Sequence, residues 1–463
     1  GYRNALNGIY KDLADFALYG RELTWGMNEV LGQTYHLNYI PSDHAYYYMA
    51  WSMYDNDKVE AILSSLWEQA YNAIANCNNL IADAILFSGK DMELNMIYGE
   101  ALALRAFIHL DLLRLFAPAP VVADQKKYIP YMEDYGTLFG DRESVKDCMN
   151  KIIRDLKQAK KLLSEVDIIP ENRIWSKTYY RIEGGRGVVD DNIPQDIFYM
   201  YRGYRMNYWA VKAIQARMYL YLGKKDKAYT LAKEIIEAKG ADGELVMTMS
   251  GETDIAKGYK ACPSECLLYL SKYDVKTYSS VFLIGNKADQ QAGPSHLVIS
   301  SSMLSDLYAG QNTGSHNRYL NCWNRNVKDA SANLYGALAK YYFADDAENQ
   351  MLYYQIIPLL RMSEVYLIAM ETSSDLDEIN EWYHDYMLAH SVVLNEVGFS
   401  SLSEVPGKML NEYRREFYGE GQMFYTYKRT GATTMLWGNG NADENVYIVP
   451  LPETEYNPNS QIK

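Results

Sequence analysis

The chain has 463 residues, with 45 Lys and Arg against 59 Asp and Glu, a formal net charge of −14. That balance argues against a nucleic-acid binder, whose affinity comes chiefly from clustered cations. No apolar run of 18 residues is present to form a membrane-spanning helix. With 48% apolar and 22% charged residues, the composition is that of a globular protein with one large core or two to three smaller ones.

The sequence opens on Gly1-Tyr2-Arg3-Asn4 rather than Met and runs straight into helical periodicity, as expected of a trimmed chain whose targeting segment is missing. Apolar spacing of three and four predicts helices over 2–19, 59–87, 92–116, 143–164, 207–238, 354–371, 375–392 and 402–418, so the fold is expected to be mainly α. Between 168 and 205, and again between 240 and 350, Gly, Ser, Asn and Pro interrupt the periodicity. Glu183-Gly184-Gly185-Arg186-Gly187 and Gln291-Ala292-Gly293-Pro294-Ser295 are examples. These stretches read as loop-rich insertions, with Leu267–Leu270 and Leu297–Ile299 as short strands. In 207–240, Ala216, Tyr219, Ala228 and Ala232 flank the turn Leu222-Gly223-Lys224-Lys225 at the spacing of a tetratricopeptide hairpin, whose small residues let two helices approach closely. The pairs 92–116 with 143–164 and 354–371 with 375–392 read as degenerate copies.

Side chains that could carry chemistry have structural readings beside them. On a helical wheel, Glu100, Asp111 and Arg114 share one face of 100–116, and Arg105 and His109 the opposite one. Ionic groups on an otherwise apolar helix are expected to be buried structural pairs. Arg361 and Glu364 are expected to pair at i, i+3, and Arg414, Arg415, Glu416 and Glu420 to be fold residues. None of His-Glu-x-x-His, Gly-x-Ser-x-Gly, Gly-x4-Gly-Lys-Ser/Thr or Gly-x-Gly-x-x-Gly occurs. Cys262 and Cys266 have one intervening residue too many for a thioredoxin motif and no nearby His for zinc. The five cysteines are too few for a disulfide framework. No catalytic pair stands out among the carboxylates, and no pattern calls for a metal or cofactor, so the chain is expected not to be an enzyme.

Tyrosine is the outlier, at 43 against 11 Phe. A tyrosine hydroxyl wants water or a partner, so the excess implies many half-exposed aromatic surfaces. Two clusters mix flat rings with amides and Arg: His44–Asp57, containing Tyr46, Tyr47, Trp51 and Asn56, and Ser315–Asn326, containing Tyr319, Asn321, Trp323 and Arg325. A ring face suits the C–H surface of a sugar, and directional donors suit its hydroxyls or a peptide carbonyl. These eight residues are the candidate ligand-binding set.

Four ordered segments carry a family resemblance. They are Trp67-Glu68-Gln69-Ala70-Tyr71 with Ile74 and Asn76; Gly99–Phe107 with Leu112–Phe116 and Pro118-Ala119-Pro120-Val121; Pro358–Ala369; and Arg414–Gln422 through Lys428-Arg429-Thr430-Gly431 to Val449–Asn459. Together they resemble the SusD/RagB family of outer-membrane nutrient-binding lipoproteins, along nearly the whole chain. Ala117 stands where the family usually has Gly, and Met423 and Thr426 where it usually has Arg and Asp. The resemblance implies one SusD-like domain over 1–463. A helical frame would occupy approximately 59–164, 207–240 and 354–431, and ligand-binding insertions approximately 31–58, 168–205 and 241–350. It also implies a non-catalytic, surface-exposed lipoprotein of the cell outer membrane. Its ligand would be an oligosaccharide, or a peptide in the RagB-like alternative, and its partner a SusC-like TonB-dependent transporter. A tetratricopeptide-like adaptor that binds only protein, and a glycan-cleaving enzyme, remain the rival readings.

Overall fold

The computed structural model describes residues 1–37, 40–87, 89–137, 139–172, 196–240, 242–275, 296–341, 355–394 and 398–456, together with Trp175, Pro194, Ser279, Phe282 and Leu283. The loop segments 183–187 and 291–295 lie outside them, as do Asn457–Asn459 of the last motif.

Helices dominate, as the periodicity predicts. In chain order the frame begins with α1 (Tyr2–Leu13), α2 (Met27–Leu31), α3 (Ala45–Ala50), α4 (Asp57–Ala84), α5 (Met92–Phe116) and α6 (Val145–Asp167). It continues with α7 (Tyr208–Tyr221), α8 (Lys225–Ile236), α9 (Met362–Thr372), α10 (Leu376–Ala389), α11 (Val405–Glu416) and α12 (Met423–Thr430). The first helix is shorter than the predicted 2–19 because the Asp15 carboxylate accepts the Ala17 N–H at 2.9 Å, turning the chain out of the helix. The second correction is at 354–371, where Ile356–Arg361 is a strand and the helix starts only at Met362. Pro358 could not donate within a helix, and the fully buried Ile-Ile-Pro-Leu-Leu run suits a covered strand.

Helix α5 is buried nearly all round, as befits a central helix. Gly99 lets it approach α6 closely, since a Cβ there would stand about 3.0 Å from the Leu163 side chain. Its N-terminus is capped by Asp91, which accepts the Leu94 N–H at 3.0 Å. At its C-terminus the buried Lys428 ammonium donates to the carbonyls of Arg114, Leu115 and Ala117. Ala117 itself has φ −129°, extended backbone that needs no glycine. The α7–α8 hairpin turns at Gly223, φ +71°, and Ala216, Ala228 and Ala232 are fully buried where the two helices cross.

The ionic residues are structural, though not always with the expected partner. Arg105 pairs with Asp155 at 2.7 Å and donates to Asn78 at 2.9 Å. His109 stacks on Tyr131 at 3.9 Å. Its Nε2 accepts the Met132 N–H at 3.1 Å, so Nδ1 carries the proton donated to the Arg105 carbonyl. Arg114 pairs with Asp111, while Glu100 takes Arg202 at 3.1 Å. The expected Arg361–Glu364 pair does not form, because Arg361 ends a strand. Glu364 pairs instead with Arg217 at 2.6 Å, and Arg361 with Glu265, Glu416 and Glu420.

The segment 240–350 is more ordered than its composition suggests. A short antiparallel pair, β1 (Lys127–Pro130) with β2 (Arg142–Ser144), precedes α6; the segment itself carries β3 (Cys266–Ser271), paired antiparallel with β7 (Ile356–Arg361) just beyond it. It also carries a three-stranded antiparallel sheet of β4 (Val298–Ser300), β6 (Leu334–Leu338) and β5 (Trp323–Lys328), in the order β4-β6-β5. Leu304, Trp323 and Leu338 join the same core as α4 and α5. Buried charges fasten this segment to the frame. Glu416 meets Arg318 at 3.0 Å, His390 at 2.7 Å and Arg361, and Glu420 meets Lys340 at 2.7 Å and Arg361 at 2.8 Å. Burial alone would raise the Glu416 carboxyl, but Arg318, Arg361 and His390 hold it well below the usual carboxylate range.

Candidate functional site

The site grows out of the chain between α2 and α4. Glu29, buried on α2, accepts the N–H groups of Gly419 and Gly421 at 3.0 and 2.9 Å and the Thr34 hydroxyl at 2.7 Å. Burial nevertheless pushes its carboxyl up to about 7. This clamp fixes the turn that presents Gln33, itself at φ +57°. Gln33 Nε2 donates to the Ala50 carbonyl at the end of α3 at 2.6 Å. Asn439 Nδ2 donates to Gln33 Oε1 at 3.1 Å and to the same carbonyl at 3.3 Å. Two amides from opposite ends of the sequence thus share one acceptor and define a rim.

Above that rim lies Trp51. Helix α3 stops there, and Ser52 at φ +54° turns the chain away, leaving the indole 48% exposed. Tyr47, half-buried, backs it at a ring separation of 6.3 Å and 51°. Trp51, Gln33, Asn439, Asn441 and Gly438 line a depression of about 130 Å³. That is smaller than a pocket that engulfs a ligand, so the feature is a shelf across which a flat molecule can lie.

The other expected ligand contacts fare differently. Tyr46 is buried, its hydroxyl donating to Glu22 at 2.8 Å, so it offers no ring face. Asn56 is the N-cap of α4, accepting the Lys58 N–H at 3.0 Å. Trp323, expected as a platform, is core: it is 5% exposed, donates to the Tyr308 hydroxyl at 3.3 Å and stands edge-on to Tyr418 at 4.7 Å. Strand alternation at the start of β5 turns it inward. Tyr319 is half-buried with the exposed Arg325 guanidinium 4.7 Å above its ring, and Asn321 is exposed but donates back to the Asn317 carbonyl at 3.0 Å. None of these three lines the shelf.

The two aromatic clusters are nonetheless neighbours through 33–36. Gln33 belongs to the shelf, Thr34 accepts from Tyr418, the partner of Trp323, and His36 stands edge-on to Tyr335 of β6 at 5.9 Å. Gln33, Asn439 and Asn441 were missed in the sequence. The available signal was the Trp437-Gly438-Asn439-Gly440-Asn441 run, which mixes ring, amide and turn residues as the two chosen clusters do.

Comparison with known proteins bears on what this arrangement is. Residues 9–177 match the SusD-like family model described as starch-binding, associating with the outer membrane. Over that stretch the chain resembles the SusD-like family. A SusD superfamily protein from Bacteroides thetaiotaomicron superposes with a TM-score of 0.72 at 20% identity, covering 99% of this chain and 97% of that one. A laminarin-binding SusD-like protein gives 0.65 at 16%, covering 98% and 96%. Surface glycan-binding protein A from Bacteroides uniformis gives 0.68 at 16%, covering 99% and 97%. At these identities the solved structures establish the SusD-like fold over the full length. A search of curated proteins found no match. Among the described residues no helix is long and apolar enough to cross a membrane.

Proposed function

We propose that this protein is a non-catalytic glycan-binding component of a nutrient-uptake system. Displayed at the outer-membrane surface through a lipid anchor, it captures oligosaccharides and hands them to a SusC-like TonB-dependent transporter. The observation that carries this reading is the Trp51 shelf, an indole nearly half exposed at the end of a helix, braced by Tyr47 and bordered by the fixed amides of Gln33 and Asn439. An exposed indole gains little for folding where it stands. Against the C–H face of a pyranose it buries apolar area, while the exposed Asn439 and Asn441 amides address hydroxyl groups. Related folds whose descriptions name laminarin binding and surface glycan binding support the same class of ligand. The rigid base also suits capture, because little side-chain entropy is lost on binding to preorganised groups.

The test is retention in native gels containing a panel of polysaccharides: α-glucans, β-glucans, mannan, xylan and galactan. The wild type is expected to be retarded by at least one and Trp51→Ala released from it. A wild type that migrates freely through all of them contradicts glycan capture.

A further inference from the structure

Away from the Trp51 shelf, four tyrosines form a cluster of their own, detached from the main core. Tyr204 and Tyr259 are buried, and Tyr201 and Tyr269 pack on them half exposed. The Tyr204 ring lies 4.2 Å from Tyr269 and 6.3 Å from Tyr201, inclined by 39° and 26°, so three rings face roughly the same way. Beside them opens a cleft of about 750 Å³, within the range of ligand sites. Its walls include Asn7 and Lys11, one turn apart on α1, the guanidinium of Arg205, and Tyr273 just beyond β3, which is 78% exposed.

Some polar groups of this cleft are uncommitted. The side chains of Asn7, Lys11, Tyr201 and Tyr273 make no hydrogen bond to other described residues. Arg205 Nε and Nη2 are buried without a hydrogen-bond partner. Nη2 stands 3.3 Å from Glu100 Oε1, near enough to balance its charge but out of line for a hydrogen bond, and the guanidinium carbon lies 3.9 Å over the Phe198 ring. The charge of Arg205 is thus already answered, so the cleft does not call for an anion. Asp15 and Asp274 also stand on its walls, so beside its rings it offers a neutral polyol acceptors as well as donors.

The cleft is also joined to the shelf. Lys272, on its wall, lies 4.4 Å over the Phe16 ring, and Arg21 lies 5.7 Å over both Phe16 and Phe282. Phe282 packs on His44 at 6.5 Å. His44 caps the N-terminus of α3, and Trp51 ends that same helix. Rings alternate with cations from Lys272 to Phe282.

We propose that this cleft is a second carbohydrate site. It takes a neutral sugar unit flat against Tyr201 and Tyr273, with Asn7 and Arg205 addressing its hydroxyls, and one polysaccharide chain can engage it and the Trp51 shelf together. The inference rests on the glycan-capture reading for its class of ligand. Two linked contacts on one chain multiply through effective concentration, so a long polymer is held more tightly than a short fragment of it.

The experiment uses the polysaccharide from the panel that retards the wild type most. Tyr273→Ala with Asn7→Ala alters only exposed side chains and leaves the melting temperature unchanged. This variant is expected to weaken retention of the polymer about tenfold. Calorimetry with a tetrasaccharide of the same glycan is expected to show two sites per chain, one lost in that variant and the other in Trp51→Ala. Retention equal to wild type, or a single site that Trp51→Ala alone abolishes, overturns the second site and leaves capture on the shelf standing. A wild type held by no polysaccharide removes the capture reading and this inference with it.

Discussion

Glu416→Gln tests how the segment 240–350 is held to the helical frame. Arg318, Lys340 and Arg361 face Glu265, Glu416 and Glu420 in one buried cluster, three cations against three carboxylates, with His390 donating to Glu416. Glutamine keeps the shape and removes one negative charge, leaving a buried cation unbalanced. Breaking one partner of a buried pair costs about 3–5 kcal/mol. The lower end applies here because Arg361 retains Glu265 and Glu420. The unfolding entropy is about 2.1 cal/mol/K per residue, roughly 1 kcal/mol/K over 463 residues, so 3 kcal/mol lowers Tm by about 3 °C. The assay is scanning calorimetry at pH 7 beside Glu404→Gln, which removes an exposed partner of Lys408 and is expected to leave Tm nearly unchanged. Equal melting of Glu416→Gln and Glu404→Gln would refute the clamp.

Three further outcomes follow from the same geometry. Burial depresses His109 to about 3 and His316 to about 2, so both are neutral in the fold. Their contribution is present above the unfolded value near 6.5 and is lost as pH falls below it, by about 1.4 kcal/mol per pH unit each. Urea midpoints that stay level between pH 6.5 and 4.5 contradict this. Glu29 runs the other way: with its carboxyl raised to about 7, its contribution is present below about 4.5 and is lost as pH rises through 7, so Glu29→Gln should steepen the loss of stability as pH falls from 6.5 to 5 and remove the loss as pH rises from 6.5 through 7. Gly421 has φ +70°, and a Cβ there would run into the Leu23 carbonyl. Gly421→Ala should therefore lower the urea midpoint by several kcal/mol in stability, whereas Gly407→Ala, in open space on α11, should not.

Much of the frame was legible because periodicity reports which face of a helix is buried. Helices α4 to α6 and the α7–α8 hairpin fall where the apolar spacing puts them, and the tetratricopeptide-like alanines are at the crossing. What periodicity cannot report is long-range pairing. The buried run 356–361 reads equally as helix or strand until β3, some ninety residues earlier, is known to pair with it. The short strands read at 267–270 and 297–299 are β3 and β4, whereas β5 and β6 hid in sequence rich in Asn and Gly. The aromatic clusters were found for the right chemical reason but sorted imperfectly. Trp51 and Trp323 have similar neighbours in sequence, yet one ends a helix beside a left-handed serine and the other starts an inward-facing strand. The rim amides come from Gln33 and Asn439, 406 residues apart, which only the fold brings together.

The central claim is that the Trp51 shelf holds a glycan. Calorimetric titration of wild type and Trp51→Ala with the best-retained oligosaccharide tests it most directly, read at the shelf site with the cleft removed by Tyr273→Ala and Asn7→Ala. Loss of the indole face is expected to remove about 1–2 kcal/mol, a 5- to 30-fold weaker Kd, with Tm little changed because the ring is nearly half exposed. An unaltered Kd in Trp51→Ala contradicts the account.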